Sequence, residues 1–173
     1  PQKNWKKEIS CAKNYGFTFI EYIGERKFNK SSPIWSMRGL RKINSVTKKF
    51  KVKNYSFCDD FFINNNLIKY RYLDTYINKI VKILTFLKIK IYVLALFEKS
   101  NLTKKNFVNF VDVIDNISKK FKKVGIKLAL ETNLDAKYLL KFFKIISNSN
   151  SYIVYDTGNR LKKNHKQYLE ILK

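Results

Sequence analysis

Histidine occurs once in this chain, and cysteine and proline twice each. Glycine occurs five times. Each scarcity closes a door. Cys11 and Cys58 match no zinc or redox spacing and read as two reduced cytosolic thiols. Five glycines leave nowhere to hide the Gly-rich fingerprint of a dinucleotide-binding turn. No apolar run reaches the roughly 18 residues of a membrane span; the longest, Ile80 to Phe97, is broken by Lys82, Lys88 and Lys90. The opening residues PQKNWKKEIS hold no apolar signal-peptide core.

Acids are scarce as well. Thirteen Asp and Glu face 36 Lys and Arg, a formal charge of +23. Such a charge suits a nucleic-acid surface. Yet the lysines are spread over every segment and form no dense basic block. The chain is rich in Lys, Asn, Ile, Phe and Tyr and poor in Arg and Pro, so AT-rich coding with solvated lysine faces is the favoured reading. A basic cleft for a phosphorylated ligand is compatible with it. The apolar fraction of 45% and aromatic fraction of 16% belong to a folded globule, read as one domain over residues 1–173.

The periodicities alternate. Trp5, Ile9 and Ala12 lie at helical spacing before Gly16, and FTFIEYI is a strand. Ser36 is placed as the N-cap of a helix to about Lys48. A strand closes near Cys58, Asn64 to Asn66 form a polar break, and a helix covers roughly 70–87. KIKIYVLAL is a strand. The segment 100–125 is the clearest helix, with Phe107, Phe110, Val111, Ile114, Ile117 and Phe121 on one face and Gly125 at its end. A strand to Glu131, a helix over about 134–146, a strand to Asp156 and a helical segment from Asn164 follow. Strict alternation with short links demands right-handed βαβ units and a parallel sheet. The expected fold is α/β, a (β/α)8 TIM barrel. Five strands are too few for a whole barrel of about 250 residues, so the reading expects an internal piece, about strands 2 to 6 with their helices. A complete five-stranded open sheet is the alternative.

Two strands end in an acid, LALETN at Glu131 and YIVYDTGN at Asp156. In a barrel the strand tips converge on one mouth. Converging carboxylates repel unless a cation sits between them, and hard oxygen donors suit Mg²⁺ or Mn²⁺; ordinary loop-facing acids are the alternative. Glu21, Ser56, Cys58, Asp59, Asp60, Glu98 and Ser100 also stand near strand ends. His165, among lysines, reads as a surface residue.

Motifs in order along the whole chain resemble the sugar phosphate isomerase/epimerase group of the xylose-isomerase-like TIM barrels. They are the first helix and strand with Trp5, Glu8, Ala12, Gly16, Phe17, Ile20 and Glu21; the loop NKSSPIWSMRGLRKI; the strand end YSFCDDFF; and the ends LALETN and YDTGN. The resemblance implies that Glu131 is a metal ligand and a catalytic carboxylate, and Asp156 a second ligand. It implies that Asn159 contacts substrate or supports the site, and that Glu21, Ser56 and Asp59 line the mouth and bind substrate. In such barrels a divalent cation, Mn²⁺ or Mg²⁺ with Co²⁺ or Zn²⁺ compatible, holds two substrate oxygens while one glutamate removes a proton and another returns it.

The histidine ligand and second glutamate of that family come from later strands, so the piece is expected to be inactive alone. The implied partner is a small sugar or sugar phosphate in the cytoplasm, with no membrane and no specific nucleic acid; a homo-oligomer is compatible. The rivals are a metal-dependent endonuclease at abasic DNA, disfavoured by one histidine where several are needed, and a basic nucleic-acid-binding domain, which would need aromatics grouped on one basic face.

Overall fold

A computed structural model describes residues 4–146 and 150–156. Five strands form one parallel sheet in sequence order: β1 (Phe19–Gly24), β2 (Lys53–Asp59), β3 (Ile91–Leu96), β4 (Lys127–Thr132) and β5 (Ser151–Val154). The helices are α1 (Trp5–Asn14), α2 (Met37–Phe50), the single turn α3 (Phe61–Asn64), α4 (Leu73–Leu87), α5 (Val111–Lys122) and α6 (Ala136–Ile145). Among the described residues a helix lies between each strand and the next, as the alternating periodicities require. Among the described residues no helix is long and apolar enough to cross a membrane. The expected helical segment from Asn164, with Asn159 and His165, lies outside the described residues.

The two faces of the sheet differ. Phe57, Tyr92, Leu94, Leu128 and Leu130 point to the helix layer, where Ile77, Ile80, Leu84, Ile114, Phe121 and Phe142 meet them in the main core. The opposite, inner face carries a small cluster of Cys58, Val93 and Ala129, edged by Ile91 and Val154. A strand alternates its side chains every residue; with the helices on one side only, the other becomes the inner wall of a barrel arc. Lysines such as Lys42, Lys48, Lys82 and Lys122 sit on exposed helix positions.

Local signals act where the sequence places them. Ser36 Oγ accepts from Gly39 N–H at 3.1 Å. Gly16 and Gly125 take left-handed φ of 81° and 69°, the conformation favoured just after a helix. Three boundaries differ from expectation. Lys88 caps α4 with φ 58°, so β3 starts at Ile91 rather than Lys88. The helix expected over 100–125 begins at Val111, after a 3₁₀ turn at Phe107–Phe110. Upstream of it Asn106 holds a loop instead, its Oδ1 accepting from Thr103 N–H at 2.7 Å and its amide donating to the Asn101 carbonyl at 2.9 Å; asparagine competes with helix in this way. Finally, the one-turn α3 occupies a stretch expected to be strand end and polar break.

Gly39 sits in the first turn of α2, pressed on the 3₁₀ turn Pro33–Trp35. A Cβ there would overlap the Pro33 carbonyl oxygen. Alanine is the better helix former by about 1 kcal/mol, but a rigid backbone clash outweighs it. Gly39→Ala is expected to lose about 1–3 kcal/mol in urea denaturation.

Candidate active site

The strand tips Gly24, Asp59, Leu96, Thr132 and Val154 mark the C-terminal edge of the arc. Glu131 stands one residue inside that edge on β4, half-buried, in register with Ala95 of β3 and Val154 of β5. It shares the alternation of Ala129 and so faces the inner wall. Asp156 is half-buried two residues beyond Val154, in the same phase. Glu131 thus faces the inner wall from β4, and Asp156 follows the end of the neighbouring strand β5.

Cys58 is the hub of the inner wall. Its thiol lies 3.9 Å from Glu131 Oε2 and 3.8 Å from Asp60 Oδ1. Burial first, then the charges of Asp60, Glu21, Glu131 and Asp59, push the thiol pKa well up. Cys58 is thus a neutral S–H donor inside a ring of acids. A thiolate there would face both desolvation and repulsion. Asp60 is also raised, by desolvation, against the lowering influence of Arg26 and of the Cys58 hydrogen bond. Glu21 is exposed on β1, in register with Ser56, and lines an apolar cleft of about 580 Å³ with Trp5, Ile9 and Tyr22. Ser56 is buried on β2, level with Ile91, three residues below the strand tip rather than at it.

Asp59 corrects an expectation. It does not line the mouth. It is fully buried and turned toward the helix layer, where Tyr92 OH donates to it at 2.7 Å and Tyr76 OH at 3.0 and 3.1 Å. The Phe61 N–H donates at 3.1 Å. Desolvation raises its pKa to about 6, against the lowering effect of these donors. Asp59 lies two residues from Phe57, which faces the helix layer, and one from Cys58, which faces the inner wall, so alternation turns it outward; a shift of register lies lower on the strand. Ile20 pairs with Asn54 but Glu21 with Ser56, so Tyr55 is an extra residue, a bulge that shifts the phase. The carboxylate next to Cys58 is Asp60, which the motif alone did not separate from Asp59.

Arg26, in the loop after β1, pairs with Glu98, just after β3, at 2.8 Å. Glu98 holds φ 45°. For a residue with a side chain this left-handed backbone costs on the order of 1 kcal/mol, and such strain clusters at functional edges. Neither residue was singled out as a ligand by sequence, although Glu98 was counted among the strand-end acids.

The donor set has a definite chemistry. Glu131 and Asp156 are hard oxygen donors, suited to Mg²⁺ or Mn²⁺. The neutral Cys58 adds no charge to repel a further carboxylate. Among the described residues no three His, Cys, Asp or Glu side chains are grouped closely enough to hold a metal ion. Cys11 and Cys58 are both unbridged.

No family model matches the chain, and no curated protein matches it. Solved structures do. A xylose isomerase-like TIM barrel protein from Mycobacterium smegmatis in complex with magnesium aligns with a TM-score of 0.72 over 99% of this chain and 64% of its own, at 12% identity. An IolI protein with a binding zinc atom aligns at 0.71 over 96% and 63%, at 15% identity. D-psicose 3-epimerase in the presence of D-fructose aligns at 0.67 over 86% and 56%, at 16% identity. The chain spans less than two thirds of the length of these neighbours. At such identities the likeness establishes the architecture: this chain has the fold of the xylose isomerase-like TIM barrels, the fold its strand-end motifs led one to expect.

Proposed function

We propose that the protein acts in its whole form as a divalent-metal-dependent isomerase or epimerase of a sugar or sugar phosphate, by proton transfer through an enediolate. The observation that carries this reading is the placing of Glu131 on the inner wall, in register with Val154 of β5 and against the neutral Cys58 thiol. The company of epimerases and sugar-binding barrels of the same fold supports it. The reading treats the chain as one domain of a cytoplasmic enzyme, and a homo-oligomer is compatible with it.

Glu131 is the residue for the base. A carboxylate held at a strand end can take a proton from a carbon next to a carbonyl when the substrate is set against it. The Cys58 thiol lies against one of its oxygens, 3.9 Å away, without adding a charge. Glu131 and Asp156 would hold a divalent cation, which when bound supplies positive charge against the negative charge that develops on the substrate oxygens. Glu21, across the wall on β1, Ser56 beneath it and Asn159 after β5 are proposed to contact the sugar. An epimer forms when the proton returns to the opposite face of the same carbon; an isomer forms when it returns to the neighbouring carbon.

Solvent-deuterium exchange into a panel of ketoses and ketose phosphates tests this in the intact protein. Exchange is expected with Mn²⁺ or Mg²⁺ and is expected to cease on chelation. The charge of +23 favours one rival, an endonuclease acting at abasic DNA. Cleavage of abasic DNA with no exchange into any sugar would sink the isomerase reading.

A further inference from the structure

A line of polar groups leads out of the site, and the proposed chemistry uses only its inner end. Glu131 touches Cys58, and Cys58 touches Asp60. Asp60 lies in the field of Arg26, and Arg26 ends on Glu98 at 2.8 Å. Two loops at this edge, those after β1 and β3, carry more basic than acidic side chains, with Glu25 and Glu98 among them. Arg26, Lys27 and Lys30 follow β1, and Lys99, Lys104 and Lys105 follow β3, all exposed. An acidic floor under a cationic rim fits a two-ended substrate, with a hydroxy-carbonyl group at the centre and an oxyanion at the rim.

Arg26 is the rim cation best prepared for that oxyanion. Its guanidinium already receives one, the Glu98 carboxylate, and a guanidinium fork suits carboxylate and phosphate alike. The pair is half-exposed, with side-chain exposures of 50% and 56%. Solvated pairs of this kind hold weakly, so a dianion can take the place of Glu98. Glu98 reaches its partner from a left-handed backbone at φ 45°. A second cross-element pair, Lys120 with Asp74, joins α5 to α4 on the helix layer.

We propose that Arg26 is an anion-binding residue that selects a substrate bearing a terminal phosphate or carboxylate, with the Glu98 carboxylate occupying the anion's place until substrate displaces it. The word substrate rests on the sugar-enzyme reading above; the anion site itself does not.

The test titrates inorganic phosphate into the intact protein at constant ionic strength by calorimetry. The variants are Arg26→Gln, Glu98→Gln and, as an equally exposed neighbouring cation, Lys27→Gln. Arg26→Gln is expected to weaken phosphate about tenfold or more, the loss of a charge-assisted fork. Glu98→Gln is expected to tighten it about threefold, and Lys27→Gln to change it less than twofold. Equal losses in Arg26→Gln and Lys27→Gln would reduce the effect to general surface charge and overturn the proposal.

Deuterium exchange then separates the two ideas. With ketose phosphates and sugar acids as separate arms, Arg26→Gln should raise KM for the charged substrate that wild type prefers and leave neutral ketoses unchanged. Phosphate binding that depends on Arg26, without exchange into any sugar, would sink the sugar reading and keep the anion site. Exchange into neutral ketoses, with no effect of Arg26→Gln on phosphate or kinetics, would do the reverse.

Discussion

Glu131→Gln is expected to slow deuterium exchange about 10²- to 10⁴-fold in the intact protein, the usual loss when one positioned acid or base is removed. The substitution keeps shape and size. The amide oxygen still accepts from the Cys58 thiol, which lies 3.9 Å from the carboxylate, and the half-buried position adds no cavity. Thermal unfolding should therefore stay close to wild type while exchange collapses. A Gln variant that exchanges at the wild-type rate would remove Glu131 from the chemistry. The acid would then be a ligand or a wall residue, and the base would have to be sought among Glu21, Asp60 and residues beyond those described.

Asp59 gives the second large effect, and its direction runs against the habit of carboxylates. A salt-bridged acid has a depressed pKa and loses stability as pH falls. Asp59 has a raised one, about 6, because burial outweighs the three donors around it. The native state therefore takes up a proton between about pH 6 and pH 4 that the unfolded chain, with an ordinary value near 4, does not. The contribution of Asp59 is fully present below about pH 4 and is lost as pH rises through about 6. A shift of two units corresponds to on the order of 3 kcal/mol.

Asp59→Asn abolishes this titration while keeping an acceptor for Tyr76 and Tyr92. The difference in unfolding free energy, wild type minus Asp59→Asn, should fall by about 3 kcal/mol between pH 4 and pH 7. Urea denaturation at intervals across that range measures it. Parallel curves for the two proteins would mean that Asp59 titrates like a solvated acid, in conflict with its complete burial. The charge facing it from its own strand end is that of Asp60, which raises its pKa further. The groups facing it from β3 and α4 are the hydroxyls of Tyr92 and Tyr76, whose own pKa values burial and Asp59 push up beyond the working range.

The contrast between Asp59 and Asp60 shows how far the sequence reaches. Element order came from local physics. Apolar spacing at Ile114, Ile117 and Phe121 is a helix face whatever surrounds it, Gly16 and Gly125 stop helices because a residue without Cβ takes positive φ at little cost, and Ser36 caps because its hydroxyl reaches the N–H of Gly39. Strict alternation of the two periods leaves only a parallel sheet with helical crossovers. That Glu131 lies at the end of one strand and Asp156 just after the next is legible too, since both follow from element order.

The tertiary structure decided which side each remaining strand-end residue faces. Two adjacent aspartates in SFCDDFF differ only by alternation, and alternation is reset by the bulge at Tyr55, where β1 and β2 come out of step. No run of residues in β2 announces that shift; it arises from pairing with a strand about thirty residues away. The contact of Cys58 with Glu131 joins residues 73 apart, and the pair Arg26–Glu98 joins residues 72 apart. Such meetings depend on strand register and loop path, which are set by packing of the whole arc. Composition and periodicity therefore determined the fold and the position of Glu131 near a strand end, while the packed sheet determined that Asp59 faces the core, that Asp60 meets Cys58 and that Arg26 meets Glu98.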